Sequence, residues 1–280
     1  MNLKASLVRT LNRHVLPRWR LVLRKSDKGG DDLPLPGPFR DRLIDATAAL
    51  LGPYLQRINP ELPVRPLIED FFDVYARRPV RDNSGGTAFN GSLVLYALVR
   101  ALNPVLIVES GSWKGHSAWL FRQAAPDARI VTCDIEHENL EHREPGIEYR
   151  LGDWMGYHDL KADGPRSLAF FDDHVSHAQR LREAHGRGFR TVLLDDDLPA
   201  EALFVTGDPP APTAAMLVDP TIKPGTEIGW TYRGRTLHHV VTAEALTTRA
   251  LIAERLQAPD LAPATWQSRH NGISLVRLCD

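Results

Sequence analysis

The sequence predicts a doubly wound α/β domain: a mostly parallel sheet with helices on both faces, preceded by a helical N-terminal extension. Three observations carry this reading. Short, continuous apolar runs such as Val105–Val108 recur through the middle of the chain, the pattern of strands buried on both faces. Stretches of helical periodicity separate several of these runs, which is the rhythm of strand–helix–strand crossovers. An acidic residue also stands at or just beyond the end of each run: Glu109, Asp134, Asp153, Asp172 and Asp195. In an open α/β sheet this rim is where ligands bind, and acids that would be costly inside the sheet are tolerated there.

The elements follow in order. Leu3, Leu7, Leu11 and Val15 recur at helical spacing in a basic arm, residues 1–28, which Pro17 limits to a short helix. The arm reads either as lying on an anionic membrane surface or as docked on the body or on a second subunit of a homo-oligomer. Lys28–Pro38 is rich in Gly and Pro and reads as a linker. Residues 1–38 are thus arm and linker, and 39–280 a single domain with a helical preface (39–103), a core (104–200) and a C-terminal part (201–280). Helical patterns cover 39–57 and 66–77, and a further helix leads into the first strand, 105–108. A helix at 115–124, strands at 129–134, 147–151 and 167–171, a helix at 176–187 and a strand at 190–194 complete the core. The end of the chain reads as strand 236–241, helix 243–257 and strand 273–278, giving the sheet an antiparallel C-terminal edge.

Composition sets the bounds. The 280 residues, 43% hydrophobic and 25% charged, suit a soluble globular protein. No apolar stretch reaches the ~18 residues of a membrane-spanning helix. The N-terminus lacks the compact apolar core and cleavage site of a secretory signal, so a cytoplasmic location is expected. Two cysteines, Cys133 and Cys279, exclude a disulfide framework and a zinc site built from three or four cysteines. Residues 1–30 hold eight of the 34 basic residues and one of the 35 acids, leaving the remainder near −8, a poor match for nucleic acid.

The first candidate constellation is the turn Glu109-Ser-Gly111-Ser112-Trp113-Lys-Gly115-His-Ser117. Gly111 supplies a tight turn and Gly115 lets backbone approach a ligand at a helix start. Trp113 at the middle Gly position excludes the dinucleotide fingerprint, and no Gly-Lys-Ser/Thr follows to make a phosphate-binding loop. Asp134 is placed to accept from ribose hydroxyls, and Asp153 to meet an adenine amino group. Asn83 and Gly86, in Arg81–Asn90, belong either to a loop that closes over a cofactor or to an ordinary loop and cap.

These residues resemble the class I S-adenosylmethionine-dependent methyltransferases. The pattern E-x-G-x-x-x-G-x-S is most similar to the metal-dependent group that includes macrocin O-methyltransferase and cephalosporin hydroxylase-like proteins, over about residues 80–200. The resemblance implies a Rossmann-like fold and S-adenosylmethionine as cofactor. It implies Glu109 and Gly111 at the methionine part, Asp134 at the ribose, and Ser112, Trp113, Gly115 and Ser117 completing the loop.

The second constellation is Phe170-Phe-Asp172-Asp-His174 with Leu193-Leu-Asp195-Asp196-Asp197. If those strands are neighbours, up to five carboxylates and one imidazole converge, and such charge demands a cation or bound protons. Oxygen donors suit Mg²⁺, Mn²⁺ or Ca²⁺. The resemblance implies Mg²⁺ or Mn²⁺ held by Asp172, Asp195 and Asp196, with Asp196–Asp197 as the alternative register. His174 is the candidate general base, or else a cap of the helix starting near Ser176. The implied activity is metal-assisted methyl transfer to a hydroxyl of a sugar, a glycan or a related small molecule. The alternatives are a noncatalytic cofactor-binding or scaffold protein, and a metal-dependent hydrolase, which would leave Glu109–Gly115 without a use. His137–His142 is one residue too long for a zinc-protease pair, and neither His142-Arg-Glu144 nor His238-His239 makes a primary site.

Overall fold

A computed structural model describes residues 37–265 and 272–280. The basic arm of residues 1–28, with its proposed membrane or subunit contact, lies outside the described residues. Helix α1 (Gly37–Ile58) begins two residues before the expected start, taking in the end of the linker. Helix α2 (Val64–Ala76) buries one apolar face. Helix α3 (Phe89–Leu102) is apolar nearly all round, which marks a helix enclosed by its neighbours.

The core then alternates: β1 (Leu106–Ser110), α4 (His116–Ala124), β2 (Arg129–Asp134), β3 (Glu148–Leu151), β4 (Ser167–Phe171), α5 (His177–Gly186) and β5 (Thr191–Leu194). Strands β1 to β5 are parallel. Successive strand side chains point to opposite faces, and each face has its own core. Ile107, Leu168, Phe170 and Leu193 pack with α1 to α4. Val108, Ala169, Phe171 and Val192 pack on the other side with Ala178, Leu181 and Ala184 of α5.

The C-terminal part corrects the sequence reading in two places. Residues 236–241 do not join the sheet: β7 (Arg235–Val240) pairs with β6 (Glu227–Tyr232) in a separate hairpin. The expected helix 243–257 is a helix only at its start. After α6 (Ala214–Val218), α7 covers Ala243–Thr247, and β8 (Ile252–Gln257) is a strand paired with β9 (Ser274–Leu278). The alternating Ile-Ala-Glu-Arg-Leu-Gln of 252–257 suits a half-buried strand, and the available partner decides the outcome. The expected antiparallel C-terminal edge is present as a pair of strands. The order is β3-β2-β1-β4-β5-β9-β8, so β9 is inserted between β5 and β8 and is antiparallel to both. A short helix α8 (Ala262–Thr265) precedes β9. Among the described residues no helix is long and apolar enough to cross a membrane.

Strand order reverses at β1, whose neighbours are β2 and β4, and the crevice at such a switch point is where open α/β sheets bind ligands.

Candidate functional site

A cleft of about 380 Å³ lies at this switch point, within the size range of small-molecule and cofactor sites. Of the residues expected to hold a cofactor, Gly86, Gly111, Trp113, Asp134 and Asp153 line it, as do Asp172 and His174. Glu109, Ser112, Gly115, Ser117 and Asn83 are not in its lining.

Gly111 has φ +99°, and a Cβ there would lie 2.1 Å from the carbonyl oxygen of Asp172. The β1 turn therefore rides directly on the chain leaving β4. Gly115, at φ +87°, faces the carbonyl of His142 at 2.1 Å in the same sense. Its freedom accommodates a neighbouring loop rather than a ligand, which corrects the sequence reading. Asp134 Oδ2 accepts from the backbone N–H groups of Ser112 (2.8 Å) and Trp113 (2.9 Å), and from the Ser112 hydroxyl at 3.3 Å. One oxygen thus fixes the loop. Only Oδ1, which takes the N–H of Glu136 at 3.3 Å, is left toward the cleft.

Glu109 is wholly buried, and neither carboxyl oxygen has an aligned hydrogen bond among the described residues. Desolvation pushes its carboxyl up to about 7; the nearby Ser117 and Thr132 hydroxyls oppose the shift and the charge of Asp134 adds to it. The folded state therefore holds a proton that the unfolded chain releases near its ordinary value of 4.5. The sign follows: stability is highest on the acid side and falls as pH rises through about 7, by on the order of 3 kcal/mol for this group. The unfolding midpoint of the ligand-free protein should fall between pH 5 and pH 8, and Glu109→Gln should flatten that slope. An unchanged slope in the variant would assign the effect elsewhere.

Asp153 caps the turn Trp154–Gly156 through Met155 N–H (2.8 Å) and pairs with Arg180 at 2.6 Å, so its carboxylate is already oriented. Asn83 holds the turn of its own loop, donating to the Thr87 carbonyl at 2.9 Å. That loop is pinned to the cofactor turn: the Trp113 indole N–H donates to Ser84 O at 3.2 Å, and Lys114 Nζ to Asp82 O at 2.6 Å.

Strands β4 and β5 are neighbours, so their terminal acids do converge. Asp172, Asp195 and Asp196 line a second, small cavity of about 10 Å³, the scale of a single water, together with Asp173, His174 and His177. Asp172 is held well above the carboxylate range by burial first and by the charges of Asp195, Asp196, Glu109 and Asp173 next. Asp196 is also raised, by burial. Among the described residues no three His, Cys, Asp or Glu side chains stand in a metal-ligating arrangement.

Asp197 is turned away from this cavity. Arg255 Nε donates to its Oδ2 at 2.6 Å and Ala215 N–H to its Oδ1 at 2.7 Å. Burial opposes ionisation of Asp197, yet His177 and Arg255 hold its carboxyl down at about 2. It borders a separate cavity of about 530 Å³ on the side of Arg255 and Gln257. The two acids of the triplet that line the small cavity are therefore Asp195 and Asp196.

His174 Nδ1 lies 2.8 Å from the carbonyl of Asp208, so Nδ1 carries the proton and Nε2 is the acceptor. His177 is held with its ring nitrogens in the opposite roles: Ala214 N–H donates to Nδ1 at 3.2 Å, leaving Nε2–H to donate to Asp195 O at 3.0 Å. His177 Nδ1 also lies 3.6 Å from Asp197 Oδ1.

Sequence reasoning missed several features of the cleft. Ile135 and Glu136 line it, and Ile135 is 79% exposed, an apolar side chain held open beside Asp134. Buried Arg180 also lines it. Trp113 (φ +43°), His174 (+57°) and Asp196 (+51°) are left-handed non-glycine residues, a conformation that concentrates at functional sites and leaves no mark on composition.

No protein-family model and no curated protein matches the chain. Among solved structures, it is similar to the O-methyltransferase TomG from Streptomyces achromogenes in complex with SAM, at 15% identity over 84% of this chain and 90% of that one, with a TM-score of 0.41. It is also similar to the O-methyltransferase from Bacillus cereus in complex with SAH, at 18% identity, 84% and 99% coverage and a TM-score of 0.38. A methyltransferase from Geobacter sulfurreducens gives 23% identity, 55% and 80% coverage and a TM-score of 0.35. Likeness at this level carries no argument about activity, which rests on the geometry.

Proposed function

We propose that the protein is an S-adenosylmethionine-dependent O-methyltransferase, acting on a hydroxyl of a sugar, a glycan or a related small molecule with the help of a divalent cation. The observation that carries this reading is the cleft itself. Its lining brings together the Gly111 turn, an oriented acid, Asp153, and an open apolar side chain, Ile135, and the wholly buried carboxyl of Glu109 lies in β1 just before that turn. A ligand with an ammonium group at one end and a purine at the other suits that arrangement.

S-adenosylmethionine, when bound, supplies an electrophilic methyl group. The chain's own residues do the rest. Glu109 offers a carboxylate to an ammonium group, and ionises as that charge offsets its desolvation. The turn at Ser112 and Trp113 is fixed by Asp134, and Trp113 lines the cleft. Ile135 gives one wall of an apolar slot, and Asp153, pre-oriented by Arg180, accepts from an exocyclic amine. His174 Nε2, with its lone pair free because Nδ1–H is committed to Asp208, takes the proton from the acceptor hydroxyl.

Asp172, Asp195 and Asp196 are the residues that would hold Mg²⁺ or Mn²⁺. Their oxygen-only chemistry and the uncompensated charge on Asp172 fit a hard cation. Such an ion would lower the pKa of the acceptor hydroxyl and orient it.

Calorimetry with S-adenosylmethionine, then mass-spectrometric detection of methyl transfer to a panel of glycans, polyols and phenols with and without Mn²⁺, tests the reading. Binding, and product that depends on Mn²⁺, is expected. No binding to the full chain would overturn the proposal; product at full rate in excess chelator would remove its metal half.

A further inference from the structure

We infer that Arg180 is a positioning residue that sets the span of the cleft by tying the loops beyond β3 and β4 to one point on α5. The inference rests on the methyltransferase reading for the identity of the ligand. Strands β3 and β4 are not neighbours, because β2 and β1 lie between them. Three strand spacings separate them by about 14 Å. Yet the acids beyond their ends meet on one guanidinium: Arg180 is 2.6 Å from Asp153 and 2.7 Å from Asp173. The first is a two-pronged contact, NH1 also reaching Asp153 Oδ1 at 3.4 Å; the second is a charge contact without hydrogen-bond alignment. Glu183, one helical turn along α5, takes NH1 at 2.6 Å and is held in turn by the Trp154 indole N–H at 3.2 Å.

Arg180 is 1% exposed and lies over the Phe171 ring at 5.8 Å, so the knot has no freedom to drift. Burial works against its charge, but the hydrogen bond it donates to Asp153 and the charge of Asp173 outweigh it and the guanidinium stays ionised. Without Arg180, three carboxylates would face one another at the cleft wall. Buried Trp154 and Arg187, which donates to the carbonyls of Met155, Tyr157 and Leu160, would still hold the body of the β3 loop, but Asp153 at its start would lose its tie to Asp173 and α5. The purine end of the cleft would widen.

S-adenosylhomocysteine binding, read by calorimetry on the full chain, tests this in wild type, Arg180→Met, Arg180→Lys, Asp153→Asn and Arg180→Met with Asp153→Asn. Arg180→Met should weaken binding by about tenfold or more, the loss expected when a charge-assisted buried contact goes. Arg180→Lys keeps the charge but reaches one acid instead of two, and should fall between. The double variant should bind better than Arg180→Met alone, because neutralising Asp153 relieves the repulsion that Arg180 otherwise offsets. The Mn²⁺-induced rise in unfolding midpoint should persist in every variant, since Asp172, Asp195 and Asp196 are untouched. Losses that simply add in the double variant would mean that Arg180 only fills space, and would overturn the inference, as would wild-type affinity in Arg180→Met. If Arg180→Met does not fold, the same comparison of Arg180→Lys with and without Asp153→Asn decides the matter. Wild-type protein that binds no S-adenosylhomocysteine would overturn the methyltransferase reading and this inference with it, whereas normal wild-type binding with an indifferent Arg180 would overturn the inference alone.

Discussion

Alanine at position 111 is expected to cost about 3–5 kcal/mol of stability, from left-handed strain and overpacking together, and to abolish ligand binding in the cleft. The sum is a large fraction of the 5–15 kcal/mol that holds a typical domain together. The reason differs from the one the turn suggests in isolation. A side chain at Gly111 would not merely intrude into ligand space: its Cβ would sit 2.1 Å from the Asp172 carbonyl, and backbone cannot rotate away as a side chain can. To relieve the contact, β1 and β4 must separate at their ends, where Ser110 O accepts the Asp172 N–H at 2.9 Å. The cofactor turn and the first acid of the small cavity would therefore move together. Denaturant unfolding of Gly111→Ala, paired with calorimetry, reads both effects. A wild-type unfolding midpoint would mean that the two chain segments lie further apart than described here.

What could be seen in the sequence, and what could not, divides along physical lines. Of the parallel strands, β1, β2, β4 and β5 were legible because they are enclosed, and enclosure writes itself as an apolar run: Ile107–Val108 and Leu168–Phe171 need no partner information, whereas β3 is a half-exposed edge strand. Strand β8 was not, because Ile252–Gln257 is half-buried and owes its conformation to β9, which lies beyond 16 intervening residues. The hairpin β6–β7 was half-read for the same reason. At the site, the acids were legible as residue types at strand ends. Their directions were not. Asp195, Asp196 and Asp197 are chemically identical in sequence, and it is Arg255, 58 residues away, together with the Ala215 N–H, that holds Asp197 turned from the cavity. Arg180 gave no signal at all, since an arginine on a helix reads as solvated until the loops of β3 and β4 are seen to meet on it. Ile135, an apolar residue after a strand, looked like an ordinary part of one.

Substitution of Asp172 and of Asp197 by asparagine should move stability in opposite directions, although the two residues end adjacent strands and each change removes one negative charge. Asp172 is wholly buried among Asp195, Asp196, Glu109 and Asp173, and burial and those charges push its carboxyl well above its ordinary value. Ionising it at pH 8 works against the fold, so Asp172→Asn should raise the unfolding midpoint of the cation-free protein. Asp197 is equally buried but depressed to about 2 by His177 and Arg255, so its stabilising contribution is present above its ordinary 3.8 and is lost only as pH falls toward 2. Asp197→Asn strands the Arg255 charge and should cost about 3–5 kcal/mol, the loss typical of breaking a buried pair from one side. Addition of Mn²⁺ reverses the ranking. The wild type should gain stability on binding the cation. Asp172→Asn should lose that gain, since a neutral amide does not replace a carboxylate toward a hard ion. Asp197→Asn should keep it, because its side chain faces away from the cavity. Melting curves of the three proteins at pH 8, each with chelator and with Mn²⁺, give six midpoints whose order is fixed in advance. A loss of the Mn²⁺ response in Asp197→Asn would move the ligand pair to Asp196–Asp197, and a lower midpoint for Asp172→Asn in chelator would mean that Asp172 is paired rather than crowded. Either result would separate the acidic rim of this sheet from the role proposed for it, because a cation is needed there only if the charge on Asp172 has no other counterpart.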